Sequence, residues 1–137
     1  MNTKRFAISA FVLFIFTFAS DFLLHGMLLQ ETYKATAILW RPDAEFESVM
    51  WILTLTQLLF AVVFTFIFTR NYEGKGIGEG VRYGFYIGLL LAILEIQKYV
   101  YTPVDFSLPL TWAIGKILWG ILAGGIISLL YKEETTA

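Results

Sequence analysis

The chain has 137 residues, of which 58% are hydrophobic, 18% aromatic and 15% charged, with a formal net charge of −1. A mean hydropathy of +0.70 sets it apart from soluble domains, and the lack of a basic surface interleaved with aromatics argues against nucleic acid as a partner. The absence of cysteine excludes disulfides, iron–sulfur clusters and thiolate zinc sites, and a single His, His25, removes bis-histidine haem ligation within one chain.

A bilayer core of about 30 Å needs about 20 mostly apolar residues per helix, and four stretches meet that length. The first runs from 6 to 29, FAISAFVLFIFTFASDFLLHGMLL. Lys4 and Arg5 ahead of it, with Thr17-Phe18-Ala19 inside it, imitate a secretory signal. The apolar run resumes at Phe22 and continues to Leu29, so the stretch reads as a full span rather than a cleaved leader.

The connection QETYKATAILWRPDAEFE carries Tyr33, Trp40 and Arg41, which suit the headgroup level as interfacial anchors. Pro42 and Asp43 read as a helix entry, with Asp43 as the cap and Glu45 and Glu47 at the positive end of the dipole. The second span, 48 to 69, is followed by NYEGKGIGEGVRYG. This loop lacks the GxxxxGK[ST] order of a phosphate-binding loop, and no strand precedes it, so a flexible turn is expected. The third span is 81 to 101, and after TPVDFSLP the fourth runs from 109 to 131, with Pro109 tolerated in its first turn.

The expected fold class is therefore all-α: one integral membrane four-helix bundle covering residues 1–137, with a short interfacial segment between helices 1 and 2. The side that holds both termini and the middle loop carries Lys4, Arg5, Arg70, Lys75, Arg82 and Lys132. The other side holds Lys34 and Arg41, with Lys98 near a helix end. That asymmetry orients both termini to the cytoplasm, in a prokaryotic inner membrane.

Ionisable residues inside the spans are the candidate site, because charge at membrane depth is expensive and by default functional. At a rise of about 1.5 Å per residue, Asp21 lies about 22 Å above the start of its span, Glu95 about 21 Å and Lys116 about 20 Å. Gln57 reaches a comparable level, with His25 and Lys98 nearer the outer edge. Lys116 is expected to pair with Asp21, Glu95 or both. Gly80, Gly84 and Gly88 on the third helix, and Gly120 and Gly124 on the fourth, follow the small-xxx-small spacing that lets membrane helices approach closely.

Three readings of this layer are open. It is a buried network that fixes helix register in a non-enzymatic accessory or assembly subunit, or it lines an outward-facing cavity for proton-linked transport or ligand binding. The third is a divalent metal site made of Asp21, His25 and Glu95, against which the ammonium of Lys116 counts. No cofactor is expected on the first two readings, and no Ser/His/Asp order or second His suggests catalysis. The expected partners are the lipid bilayer and either further copies of the chain or a larger membrane complex.

Overall fold

The computed structural model describes residues 2–132, and all regular structure among them is helical. Expectations for Met1 and for the tail beyond Lys132 lie outside the described residues. Helix α1 (Thr3–Asp21) continues directly into π-helical turns (Phe22–Leu28). A short α2 (Gln30–Ala35) and a 3-10 turn (Ala37–Leu39) lead to α3 (Asp43–Arg70), followed by α4 (Ile77–Gln97), a 3-10 turn (Lys98–Val100) and α5 (Ser107–Leu130). Four helical stretches, Thr3–Leu28, Asp43–Arg70, Ile77–Val100 and Ser107–Leu130, are long and apolar enough to cross a membrane.

The helix ends follow local chemistry. Asn2 Oδ1 accepts from the Arg5 backbone N–H at 3.0 Å and so caps α1. Arg5 in turn donates to Leu130 O at 3.2 Å, placing a cation at the C-terminal end of α5 where the helix dipole favours it. Asp43 differs from its expected role: Pro42 is the capping residue, no side chain caps α3, and Asp43 and Glu45 sit inside the first turn.

The turn between α3 and α4 is fastened rather than loose. Gly74 and Gly76 adopt φ of 75°, a conformation that favours glycine. Glu79, two residues into α4 and only 6% exposed, accepts from the backbone N–H of Glu73 at 2.7 Å and of Lys75 at 2.8 Å. A carboxylate satisfying two loop donors converts the expected flexible connection into an ordered one.

Helix α4 packs on α5, and α1 packs on both α3 and α5. The α4–α5 seam is closed at backbone distance: a Cβ on Gly84 would collide with Gly120 O, one on Gly80 with Gly124 O, and one on Gly88 would lie 2.6 Å from Lys116 O. The glycine faces therefore meet each other inside the chain. Helix α3 is held away from this pair by rings, with Phe60 and Phe64 against Trp119 and Phe64 against Tyr83 at centroid distances of 5.4, 5.3 and 4.8 Å.

Two buried clusters result. The larger, around Leu13, Ala61, Phe64, Phe68, Trp119, Ala123, Ile127 and Tyr131, lies toward the end where Asn2 N–H donates to Tyr131 Oη. The smaller, Leu29, Val104, Leu108 and Trp112 with Leu24, Tyr33 and Trp40 packed against it, occupies the far end. The layer of ionisable groups adjoins this smaller cluster through Tyr33 and Trp112.

Candidate functional site

Asp21 is the last residue of α1, at the junction where α-helical bonding gives way to π-helical bonding. Leu29 N–H bonds Leu24 O at 3.0 Å, an i→i−5 contact. This wider turn carries His25, and it seats Leu24 against α5, where a Cβ on Gly115 would lie 2.8 Å from Leu24 Cδ2. A glycine notch on one helix thus receives a leucine of the other.

The layer divides into three linked groups. In the first, Gln57 Nε2 of α3 donates to Asp21 Oδ2 at 2.7 Å, and Lys116 Nζ of α5 lies 3.5 Å from Asp21 Oδ1. One carboxylate therefore bridges three helices. Gln57 is buried, and its Oε1 has no hydrogen-bond partner. An unpaired buried acceptor of this kind costs about 1–3 kcal/mol.

The second group is local to the end of α4. Glu95 Oε2 accepts from Lys98 Nζ at 2.6 Å across one helical turn, so Glu95 takes Lys98 as its partner rather than Lys116. Glu95 is well covered, with its side chain 13% exposed, whereas that of Lys98 is 45% exposed. The Lys98 ammonium also sits 5.6 Å from the centroid of the Trp112 ring, within range of a cation–π contact.

The third group joins α1, α2 and α5. Trp112 Nε1 donates to Tyr33 Oη at 2.8 Å, and Tyr33 Oη lies 2.6 Å from His25 Nδ1, with the two rings stacked at 22°. Trp40 closes on this pair edge-on, 5.4 Å from Tyr33 and 6.4 Å from Trp112. Tyr33 and Trp40 therefore turn inward onto the far end of the bundle. The driving contact is Trp112, seventy-two residues further along the chain than Trp40, which no local pattern reveals. Arg41 stays exposed and faces Glu45 Oε2 at 3.4 Å.

Asp21, His25 and Glu95 do not converge as metal ligands: among the described residues no group of three or more His, Asp or Glu side chains is arranged to hold a metal ion. Each instead has a separate partner, namely Gln57 and Lys116, Tyr33, and Lys98. Outside the layer, an open groove of about 500 Å³ between α1 and α3 is lined by Phe14, Ile15, Phe18, Ala19, Phe22 and Thr54, and its lining is almost wholly apolar.

No family model, curated protein or solved structure matches this chain. The functional reading therefore rests on the site itself.

Glu79 has no expected role in the sequence, and Tyr33 has a further one. Glu79 holds the α3–α4 turn, and its signal was an acid in the first turn of a helix that follows a glycine loop. Tyr33 is the junction of the third group, and no pattern in the sequence marks it as such.

Proposed function

We propose that this chain is a small, non-enzymatic, multi-pass membrane protein that serves as an accessory or assembly subunit, with its charged layer acting to hold helix register. The observation that carries the reading is the internal pairing of every ionisable group in the layer. Asp21 is met by Gln57 and Lys116, Glu95 by Lys98, and His25 by Tyr33. Polar contacts in membrane bundles contribute little each, about 0.6 kcal/mol on average, yet they select one packing among many.

In this reading both termini lie on the cytoplasmic side of a cell membrane of the prokaryotic inner type. The support is the distribution of Lys and Arg, with Lys4, Arg5, Arg70, Lys75, Arg82 and Lys132 at one end and Lys34 and Arg41 at the other. Association with another chain uses a surface other than the glycine stripes, since those are occupied by each other. The available surface is the first half of α3, where residues from Asp43 to Thr56 are exposed or half-buried on every side.

A second reading, proton-linked movement or binding of a small solute, draws on one observation: π-helical turns begin directly after Asp21 and carry His25, and such turns occur often at functional sites. The two readings separate on water. Ala92, buried one turn below Glu95, accepts a cysteine with little change of volume in a chain that has no other thiol. With a membrane-impermeant maleimide, the accessory reading expects the Ala92→Cys variant to stay unlabelled from both sides, while an Ile38→Cys control is modified rapidly. Rapid labelling of Ala92→Cys from the Ile38 side would replace the accessory reading with the transport reading.

A further inference from the structure

The segment between α1 and α3 has few fastenings. Leu29 is buried, but residues 30–41 are exposed or half-buried, Ile38 to 96%. What ties them to the far end of the bundle is Tyr33 and Trp40 against Trp112. The segment follows directly on the π-helical turns Phe22–Leu28, a helix form frequent at functional sites.

The hydrogen bonds of this fastening meet at one phenolic oxygen. The Trp112 indole can only donate, so Tyr33 Oη is the acceptor in that bond. Burial pushes the Tyr33 hydroxyl above its usual value of 10.0, so it keeps its own proton. His25 Nδ1, 2.6 Å away, can take that proton when the imidazole is neutral with its hydrogen on Nε2.

We propose that His25 and Tyr33 form a pH-sensitive latch, in which protonation of His25 releases Tyr33 and frees residues 30–41 to swing away from Trp112. A protonated ring donates from both nitrogens. Nδ1 then presents a hydrogen to the phenolic oxygen beside that of Trp112 Nε1, and the Tyr33 proton loses its acceptor and turns away.

The charged groups facing His25 are Asp21 from its own helix, Glu95 and Lys98 from α4, and Lys116 from α5, with Tyr33 the titratable group from α2. From α3 the neighbouring polar group is Gln57, which is neutral and engaged by Asp21. Two carboxylates and two ammonium groups offset one another in formal charge, so what decides the latch is the change of Nδ1 from acceptor to donor. Release uncovers Trp112, and with it the Lys98 ammonium over its ring and the Glu95 carboxylate bound to that ammonium.

The latch goes beyond the register-holding role of the layer. It is tested in detergent, where orientation across a membrane plays no part, so either idea can fail alone. Spin labels on Ile38→Cys and Val100→Cys, both exposed, report the separation of the segment from the end of α4 by double electron–electron resonance. At pH 8 the distance distribution should be single and narrow. At pH 5 a longer, broader population should grow by about tenfold, the change expected for loss of one hydrogen bond of ordinary strength.

Adding His25→Gln, which keeps a neutral acceptor, should hold the narrow distribution at both pH values. Adding Tyr33→Phe should give the broad one at both. An unchanged distribution between pH 8 and 5 in the otherwise native background overturns the latch, without relying on either variant to fold. A pH response that persists with His25→Gln overturns it as well.

Discussion

The two ends of the bundle are built from different materials. At the end where Asn2 meets Tyr131, the core is Leu13, Phe64, Phe68, Trp119, Ile127 and Tyr131, closely packed around rings, and the Arg5 side chain ties α1 to the backbone of α5 at Leu130. At the far end, helices are joined by a carboxylate shared between Gln57 and Lys116, a Glu95–Lys98 pair and a hydrogen-bonded Tyr33. Packing is non-directional and fails only when volume changes. Charge and hydrogen bonding are directional and respond to protonation. One end is therefore suited to stability, the other to specificity and response.

The α4–α5 seam runs the length of both regions, and breaking it should have the largest effect. Gly84→Leu places a side chain where even a Cβ collides with Gly120 O. The cost should exceed about 3 kcal/mol, and size-exclusion chromatography should show little monodisperse protein. A variant that purifies normally would mean that α4 and α5 are not held at backbone distance.

The contrast between ends is sharpened by matched truncations. Phe64→Ala at the terminal end, where the ring meets Phe60, Tyr83 and Trp119, should lower stability by about 3–5 kcal/mol. Leu108→Ala in the smaller far cluster should lower it by about 2 kcal/mol. Thermal unfolding in one detergent compares the two, and equal losses would dissolve the distinction.

The smallest expected effect is electrostatic and lies outside the helices, at the fastened turn. Hydrogen bonding from Lys75 holds the Glu73 carboxyl below its usual 4.5, with Arg82 adding to the pull. A folded-state value below the unfolded one means that the contribution is present above about pH 4.5 and fades as the pH falls through the lowered value. Glu73→Gln should thus melt slightly earlier than the native chain at pH 7 and together with it at pH 3. The reverse order would show that the Lys75 and Arg82 contacts do not stabilise the turn.

Much of this architecture was legible in the sequence. Four apolar runs long enough to cross a bilayer became four helices of that length. Glycines four residues apart at 80, 84 and 88 marked the buried seam, because only the absence of Cβ permits that spacing to matter. The layer was visible as isolated charge in apolar surroundings, but its pairing was not. Glu95 lies three residues before Lys98, so a local partner was already at hand, and helical spacing alone does not rank it against Lys116 on another helix.

The π-helical turns left no trace, since a run apolar on all sides, such as FLLHGML, has no period to lose. Ala61, Thr65 and Thr69, buried at four-residue spacing on α3, did carry a signal for its packed face. It was hidden by the surrounding phenylalanines. Tyr33 and Trp40 were read from their amphipathic chemistry, and a partner beyond local reach, Trp112, decided their placement.

The central claim is that the charged layer works as internal pairs, and the Asp21–Lys116 contact across α1 and α5 is its longest-range ionic member. A double-mutant cycle with Asp21→Asn and Lys116→Met, followed by thermal unfolding, addresses it directly. Each single change should lower stability by about 1.5–3 kcal/mol, and the two together should cost less than the worse of them, because a lone buried charge is costlier than none. Losses that simply add would contradict the claim and show that the two residues do not act as a pair.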